Sequence, residues 1–286
     1  MTSPHASIPI SATRVAALCG AAARHIAIRV VAETGSTNSD LLKAIPTLNG
    51  PMLLWAETQT AGKGRAGRSW QSAADATLTF SLAWRFTLPL QRLKGLPLAV
   101  GVTIAEVLRE LGVRAQLKWP NDILRDGGKL AGILIETATE KNGNGIWAVI
   151  GIGINIAIPP QLNFLSESST NPGAVLKDVA QAEVNTPLAK IAAAPELDGD
   201  REQTMAMLTT ALAAALDLFA QQGFAAFSER WNILHAHAKN NVNIMDHGKI
   251  LHQGIALGVD DSGALLLQTA TGLVPIVAGD VSLRAA

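Results

Sequence analysis

The fold is decided by the stretch that starts at Met52-Leu53-Leu54-Trp55-Ala56, passes through Gly62-Lys63-Gly64-Arg65-Ala66-Gly67-Arg68-Ser69-Trp70 and reaches Thr77-Leu78-Thr79-Phe80-Ser81-Leu82-Ala83-Trp84. An apolar, strand-like run leads into a loop of glycines and cations, and a second strand-like run leaves it. Gly62, Gly64 and Gly67 match G-x-G-x-x-G, the pattern of a dinucleotide-binding turn. Such a turn needs a helix opening from the glycines to hold phosphate, and an acid about 20 residues on. Here Gln71 to Asp75 reads as more loop, a strand follows, and Arg85 and its neighbours stand where the acid should be. The dinucleotide reading fails, and no Gly-Lys-Ser/Thr phosphate loop is present. What remains is an anion cradle. Its glycines let the backbone approach a ligand closely, and its Lys and Arg side chains suit carboxylate or phosphate.

Outward from this loop the chain alternates strands and helices. Ser11 can cap a short Ala-rich helix, and a β-branched strand follows from Ile26. Glu33 to Asp40 reads as a polar turn that caps a helix starting near Leu41. An apolar helical pattern runs from Leu93 to Leu111. Strands are expected at 114–119, 129–136 and 146–155, joined by turns at Asp126-Gly127-Gly128 and Asn142 to Gly145. Residues 157 to about 200, with Pro159-Pro160, Ser166 to Thr170 and two Ala-rich helical candidates, read as a surface excursion. Amphipathic helices follow over 202–221 and 224–237. From Asn241 the pattern changes to short strands split by His247-Gly248, Asp260 to Gly263 and Thr271-Gly272, as in a small β-barrel. The expected class is α+β, with a mixed, largely antiparallel sheet flanked by helices. The expected organisation is a short helical extension over 1–25, a large domain over 26–239 and a small β domain over 240–286.

Lys plus Arg and Asp plus Glu both number 23 in 286 residues, so net charge does not advertise nucleic-acid binding. Cys19 is the only cysteine, which excludes an intrachain disulfide and a cysteine-based zinc site. No secretory signal pattern or uninterrupted apolar run of bilayer length is present, so a cytoplasmic location without membrane contact is expected. His235-Ala236-His237 is read as exposed histidines at a helix end, and Trp55, Trp84 and Trp147 as core. Cys19 is read as buried and inert.

Beyond the loop, four clusters carry chemistry: Ser36-Thr37-Asn38, Lys118-Trp119-Pro120-Asn121-Asp122, Lys129-Leu130-Ala131-Gly132-Ile133-Leu134-Ile135-Glu136, and Gly151-Ile152-Gly153-Ile154-Asn155. Ser36-Thr37-Asn38 also has the composition of a helix N-cap. Lys118 and Asp122 also read as a surface ion pair. Glycines inside a strand mark a close approach of ligand or backbone. In this order and spacing the clusters resemble the biotin protein ligases: a GRGRxGRxW loop at 62–70, KWPND at 118–122, KLAGILxE at 129–136 and GxGxN at 151–155. The resemblance runs from about residue 26 to the C-terminus.

That resemblance implies a class II synthetase-like catalytic domain with a C-terminal SH3-like barrel. It also implies two reactions, formation of biotinyl-5′-AMP from biotin and ATP with Mg²⁺, then transfer to a lysine of a biotin carboxyl carrier protein domain. It implies biotin contacts from Ser36, Thr37, Asn38, Gln59, Lys63, Gly64, Arg65, Lys129 and Gly151. Nucleotide contacts are implied for Arg65, Arg68, Trp70, Lys118, Asn121, Lys129 and Asn155, and a catalytic role for Lys129, Arg65 and Asp122. Asp122 is left between orienting the incoming amine and holding Mg²⁺; the metal ligands are otherwise undefined. Lys63 stands where the family carries Arg, which favours a role for its backbone N–H over its side chain. Some family members carry an N-terminal DNA reader. Only about 25 residues precede the first strand here, too few for three helices of ordinary length, so a monofunctional enzyme without DNA binding is expected, monomeric or homodimeric. A lipoate or octanoate ligase or transferase of the same fold, and a non-catalytic biotin-binding module, are the competing functions.

Overall fold

The computed structural model describes residues 10–140, 145–158, 190–246, 249–278 and 281–285. The strands β1 (Ala27–Thr34), β2 (Met52–Gln59), β3 (Thr77–Phe86), β4 (Gln116–Lys118), β5 (Asp122–Arg125), β6 (Gly128–Thr139) and β7 (Ile146–Asn155) form one sheet. Their order is β1-β2-β3-β7-β6-β5-β4. Only β1 and β2 run parallel, and a parallel pair needs a crossover. Helix α2 (Thr37–Ala44) supplies it, capped by the Ser36 hydroxyl. No helix follows the glycine loop; β3 does, as its sequence predicts.

The two faces of the sheet differ. One buries Leu53, Trp55, Leu78, Phe80, Leu82, Ile150 and Ile152 in the main core. Against that face pack α3 (Leu96–Glu110), α4 (Arg201–Gln222) and α1 (Ala12–Leu18), together with Trp84 and Cys19. Helix α4 is long and apolar enough to cross a membrane by length and composition, yet it buries Met205, Leu208, Leu212, Leu216 and Phe219 here. On the other face α2 covers only a small cluster of Leu41, Leu54, Ala83, Trp147 and Val149. Beyond α2 that face carries small residues in register: Ser81 opposite Gly151, and Thr79 opposite Gly153, with Gly132 next to Gly153. Small side chains side by side leave a trough in the sheet surface.

Helix α5 (Ala225–Leu234) leads to a five-stranded antiparallel sheet of β8 (Asn241–Asp246), β9 (Lys249–Val259), β10 (Leu265–Thr269), β11 (Gly272–Ile276) and β12 (Val281–Ala285). Its order is β11-β10-β9-β8-β12. The two parts are tied together. Trp119 Nε1 donates to the Gly263 carbonyl (3.3 Å), the Asn232 amide brackets the Val259 backbone (2.7 and 3.1 Å), and Ala236 N donates to the Leu117 carbonyl (2.8 Å). Val242, Ile244, Ala256, Leu265 and Leu267 belong to the same contiguous core as the large sheet.

Several expectations are corrected. Glu33 and Thr34 belong to β1, and the helix expected from Leu93 starts at Leu96. Gly95 sets that boundary: its φ is 79°, and a Cβ there would lie 2.6 Å from Phe224. The second C-terminal helix stops at Leu234. His235 is only 5% exposed, its ring 4.6 Å from that of Trp231, so it is not a solvent-facing histidine. Residues 190–197 return beside β6 and bury Ala194 and Leu197, so they are not a surface excursion. Pro159-Pro160, Ser166 to Thr170, Asn142 to Asn144 and His247-Gly248 lie outside the described residues.

Candidate active site

The trough is closed by the glycine-cation loop, which folds as a small hairpin. Trp70 N donates to the Gly62 carbonyl (2.9 Å) and Gly64 N to the Arg68 carbonyl (2.7 Å), with Ala66 and Gly67 at φ 52° and 73° in the tip. These bonds flank the Lys63–Ser69 pair, so the Lys63 N–H takes no part in them. Gly62 is required where it stands, because a Cβ would lie 2.5 Å from the Trp70 carbonyl oxygen. The Trp70 indole then lies down on the sheet. A Cβ on Gly153 would meet its ring at 2.3 Å, and one on Gly132 would lie 3.6 Å from it. The indole Nε1 is buried without a hydrogen-bond partner.

Together these parts enclose a cleft that is partly open to solvent. Ser36, Thr37, Asn38, Gln59, Lys63, Gly64, Arg65, Trp70, Asn121, Lys129 and Gly151, all singled out in the sequence, line it. Thr79 and Phe80 line it too and were missed, as do Ile133, Leu134 and Ile152, which lie inside the quoted motifs without an assigned role. Only the pairing of β3, β6 and β7 brings these residues together. Among the described lining residues there are three cations, Lys63, Arg65 and Lys129, and no carboxylate. The cleft is built for an anion.

One end is polar and neutral. Thr37 N donates to Gln59 Oε1 (2.7 Å), and the Thr37 hydroxyl lies 2.6 Å from Ser81 Oγ. Ser81 donates to Asn38 Oδ1 (2.6 Å), and Asn38 Nδ2 donates to Glu136 Oε2 (2.8 Å). Gly151 makes room for this arrangement, since a Cβ would lie 2.4 Å from Asn38 Oδ1. The cationic end is held from below. Arg65 Nη1 donates to Asn121 Oδ1 (2.9 Å), and Asn121 Nδ2 donates to the Ile133 carbonyl (2.8 Å), which pins the loop to β6. Lys129 Nζ stands 2.6 Å from Asp122 Oδ1 and 6.0 Å from the Trp70 ring centre.

Four predicted residues, Arg68, Lys118, Asp122 and Asn155, are off the cleft wall. Asn155 is buried, and its amide nitrogen donates to the carbonyls of Lys129 and Ala192 (3.2 and 3.1 Å). It fixes the start of β6 and so the base of Lys129. Asp122 lies between two ammonium groups, Lys129 and, at 3.9 Å, Lys118. Both members of the Lys118–Asp122 pair are largely buried, so it is not a surface ion pair. Burial pushes the Lys118 ammonium below its usual range; Asp122 opposes this, while Arg284, Lys129 and Arg68 reinforce it. Arg284 comes from β12, so the small sheet adds positive field to the cluster. Burial, then Lys118, likewise lowers the His237 imidazole. No group of three or more His, Cys, Asp or Glu able to hold a metal is found among the described residues.

Residues 29–155 match the Biotin/lipoate A/B protein ligase family, and residues 240–284 match the biotin protein ligase C-terminal domain. The chain is 37% identical to the bifunctional ligase/repressor BirA of Escherichia coli, across 91% of this chain and 74% of that protein. It is 32% identical to the biotin–[acetyl-CoA-carboxylase] ligase of Paracoccus denitrificans, across 88% of this chain and 98% of the relative. The crystal structure of the Aquifex aeolicus biotin protein ligase in complex with biotin and ATP superposes with a TM-score of 0.70 at 25% identity, covering 91% of this chain and 99% of that one. Site, fold and relatives agree: the chain belongs to the biotin protein ligase family.

Proposed function

We propose that this chain activates biotin with ATP and passes the biotinyl group to a lysine of a biotin carboxyl carrier protein domain. The observation that carries this reading is the division of one cleft into a neutral hydrogen-bonding end and a cationic end. A ureido ring needs both donors and acceptors, which Ser36, Thr37 and Gln59 supply. The carboxylate at the far end of the same molecule needs cations, which Arg65 and Lys129 supply, beside the backbone N–H of Lys63. A dithiolane has no use for the neutral end, so lipoate is disfavoured.

In the first step a biotin carboxylate oxygen bonds to the α-phosphorus of ATP, the bond to the bridging oxygen breaks, and pyrophosphate leaves. Two anions must meet, and Lys129 between them offsets their repulsion. Trp70 covers the adenylate, and the Arg65–Asn121 bond keeps the loop over it, away from water. In the second step the uncharged lysine nitrogen bonds to the acyl carbon, AMP departs with the C–O electron pair, and the amine loses a proton. Asp122 acts by holding Lys129 and Lys118 in place.

The carboxylate of Asp122 already faces two ammonium groups, and among the described residues no cage of acids surrounds it, so these residues do not fit a preformed Mg²⁺ site. Mg²⁺ is assigned to the phosphates of ATP, arriving with the substrate. The reading divides the chain near residue 239 and gives it no DNA or membrane partner and a cytoplasmic location, in keeping with its zero net charge and single cysteine. As a monomer or homodimer, it offers the open β1 edge as the surface for a second copy. Incubation with biotin, ATP and an apo carrier domain tests the function. One biotinyl mass increment on the carrier supports it; no modification of a folded carrier sinks it.

A further inference from the structure

Lys129 is the second residue of β6, where the sheet is only half built. On one side β5 pairs with it, Leu124 opposite Lys129, but β7 joins β6 only from Ala131 onward. Residues 190–194 fill the open side. Lys129 N donates to the Lys190 carbonyl (2.7 Å) and Ala192 N donates to the Lys129 carbonyl (2.9 Å), a parallel bridge centred on Ile191. Asn155 Nδ2 joins the carbonyls of Lys129 and Ala192, and Ala194 N donates to the Asn155 carbonyl (3.0 Å). Gly128 lets the two backbones approach: a Cβ there would lie 3.0 Å from the Ala192 Cβ and 3.1 Å from its nitrogen.

A bridge this short is marginal by itself, and side chains latch it at both ends. Arg125 Nη1 donates to the Ala193 carbonyl (3.0 Å) and to Glu196 Oε2 (2.8 Å), while Nη2 donates to Glu196 Oε1 (2.7 Å), a forked pair. Lys190 Nζ donates to the Asp126 carbonyl (3.0 Å). Arg125, Lys190 and Glu196 do not line the cleft. A lysine ammonium rides on a flexible four-carbon stem, so its place is set only when both ends are held. Asp122 holds Nζ at 2.6 Å, and residues 190–192 hold the backbone. We propose that Arg125 and Glu196 are positioning residues for Lys129: they latch residues 190–194 against the start of β6 and so fix the cation that stands between the two reacting anions. The inference rests on the ligase reading and deepens it.

The test is biotin-dependent ATP–pyrophosphate exchange by Arg125→Leu and Glu196→Ala, each made in the native chain and again in Lys129→Met. In the native chain Arg125→Leu loses the fork and the carbonyl bond, and exchange is expected to fall about tenfold. Glu196→Ala loses only a partly exposed pair, for an expected fall of about threefold. Residues that act through one another do not add, so in Lys129→Met, where the cation is gone, neither change is expected to lower exchange further. A purely structural role would instead repeat the same losses in both backgrounds, and that result would overturn the proposal. So would a loss of less than about twofold for Arg125→Leu in the native chain. Glu196, on an exposed position, decides alone if Arg125→Leu does not fold. A native chain without exchange, or Lys129→Met with native exchange, sinks the ligase reading on which the proposal rests; a large loss in Lys129→Met with unchanged latch variants sinks only the latch.

Discussion

Gly153→Ala separates the cover over the cleft from the stability of the sheet. Gly153 sits mid-strand in β7, paired with Thr79 on one side and Gly132 on the other. Its backbone is ordinary extended strand, so alanine meets no conformational barrier there. In strand interiors alanine is favoured over glycine by about 0.5–1 kcal/mol, because less backbone freedom is lost on folding. The obstacle is Trp70. A Cβ would lie 2.3 Å from its Cε2 and Cζ2 atoms. Ordinary carbon contact begins at about 3.5 Å, so the indole must lift by about 1.2 Å. Trp70 N is held to Gly62, and the ring cannot simply slide along the sheet without losing Gly132 and Lys129 beneath it. Displacement of a positioning group by about 1 Å costs on the order of 10²-fold in rate. The expected result is an unchanged or slightly raised Tm, with pyrophosphate exchange down about 10²-fold and faster loss of adenylate to solution. Thermal melts and exchange kinetics on one preparation read both. Native turnover in the folded variant would refute the placement of Trp70 as a cover, and a collapse of Tm would refute the argument that the strand tolerates alanine.

Other consequences are as specific. Lys129→Met removes the cation from between the reacting anions and should lower exchange by about 10²–10³-fold, with the fold retained by circular dichroism. Arg65→Gly cuts the tie to Asn121 and should release biotinyl-AMP, read as indiscriminate biotinylation of added bulk protein; unchanged adenylate release contradicts the role of loop 62–70 as a lid. Lys63→Ala should cost less than about threefold in the biotin KM if its N–H is the contact, against about tenfold or more if its ammonium is. His235 is buried, with both ring nitrogens unpartnered and its pKa lowered to about 4 by burial and then by His237. A histidine held neutral in the fold loses stability as pH falls from its unfolded pKa of about 6.5 toward the folded value. His235→Leu should therefore remove about 2 kcal/mol of the difference in urea-unfolding free energy between pH 7 and pH 5. An unchanged difference would show that His235 titrates normally.

The sequence made the site legible where function is written in contiguous residues. Gly62 to Trp70, Lys118 to Asp122 and Lys129 to Glu136 could each be read as blocks, because close backbone approach and fixed charge demand glycine and cations at set positions. Strand β3 following the loop, instead of a helix, was likewise enough to set the sheet. What escaped depended on pairing. Ser81 looks like any polar residue in an apolar strand until β7 places it opposite Gly151, with Asn38 on top. Asn155 ends a glycine motif in the sequence, and only the return of residues 190–194 beside β6 reveals its amide bonds to the Lys129 and Ala192 carbonyls. His235 looked exposed because its burial comes from Trp231 and from the docking of residues 235–239 between the two sheets. Register and docking are long-range properties, and a local pattern does not carry them.

The central claim is that one cleft holds biotin by its ureido ring and presents its carboxylate to ATP. ATP–pyrophosphate exchange by the purified chain, measured with biotin and with lipoate in turn, tests it most directly. The account predicts exchange that requires biotin and is not stimulated by lipoate. Exchange stimulated by lipoate alone, or tight biotin binding with no exchange at all, would contradict it.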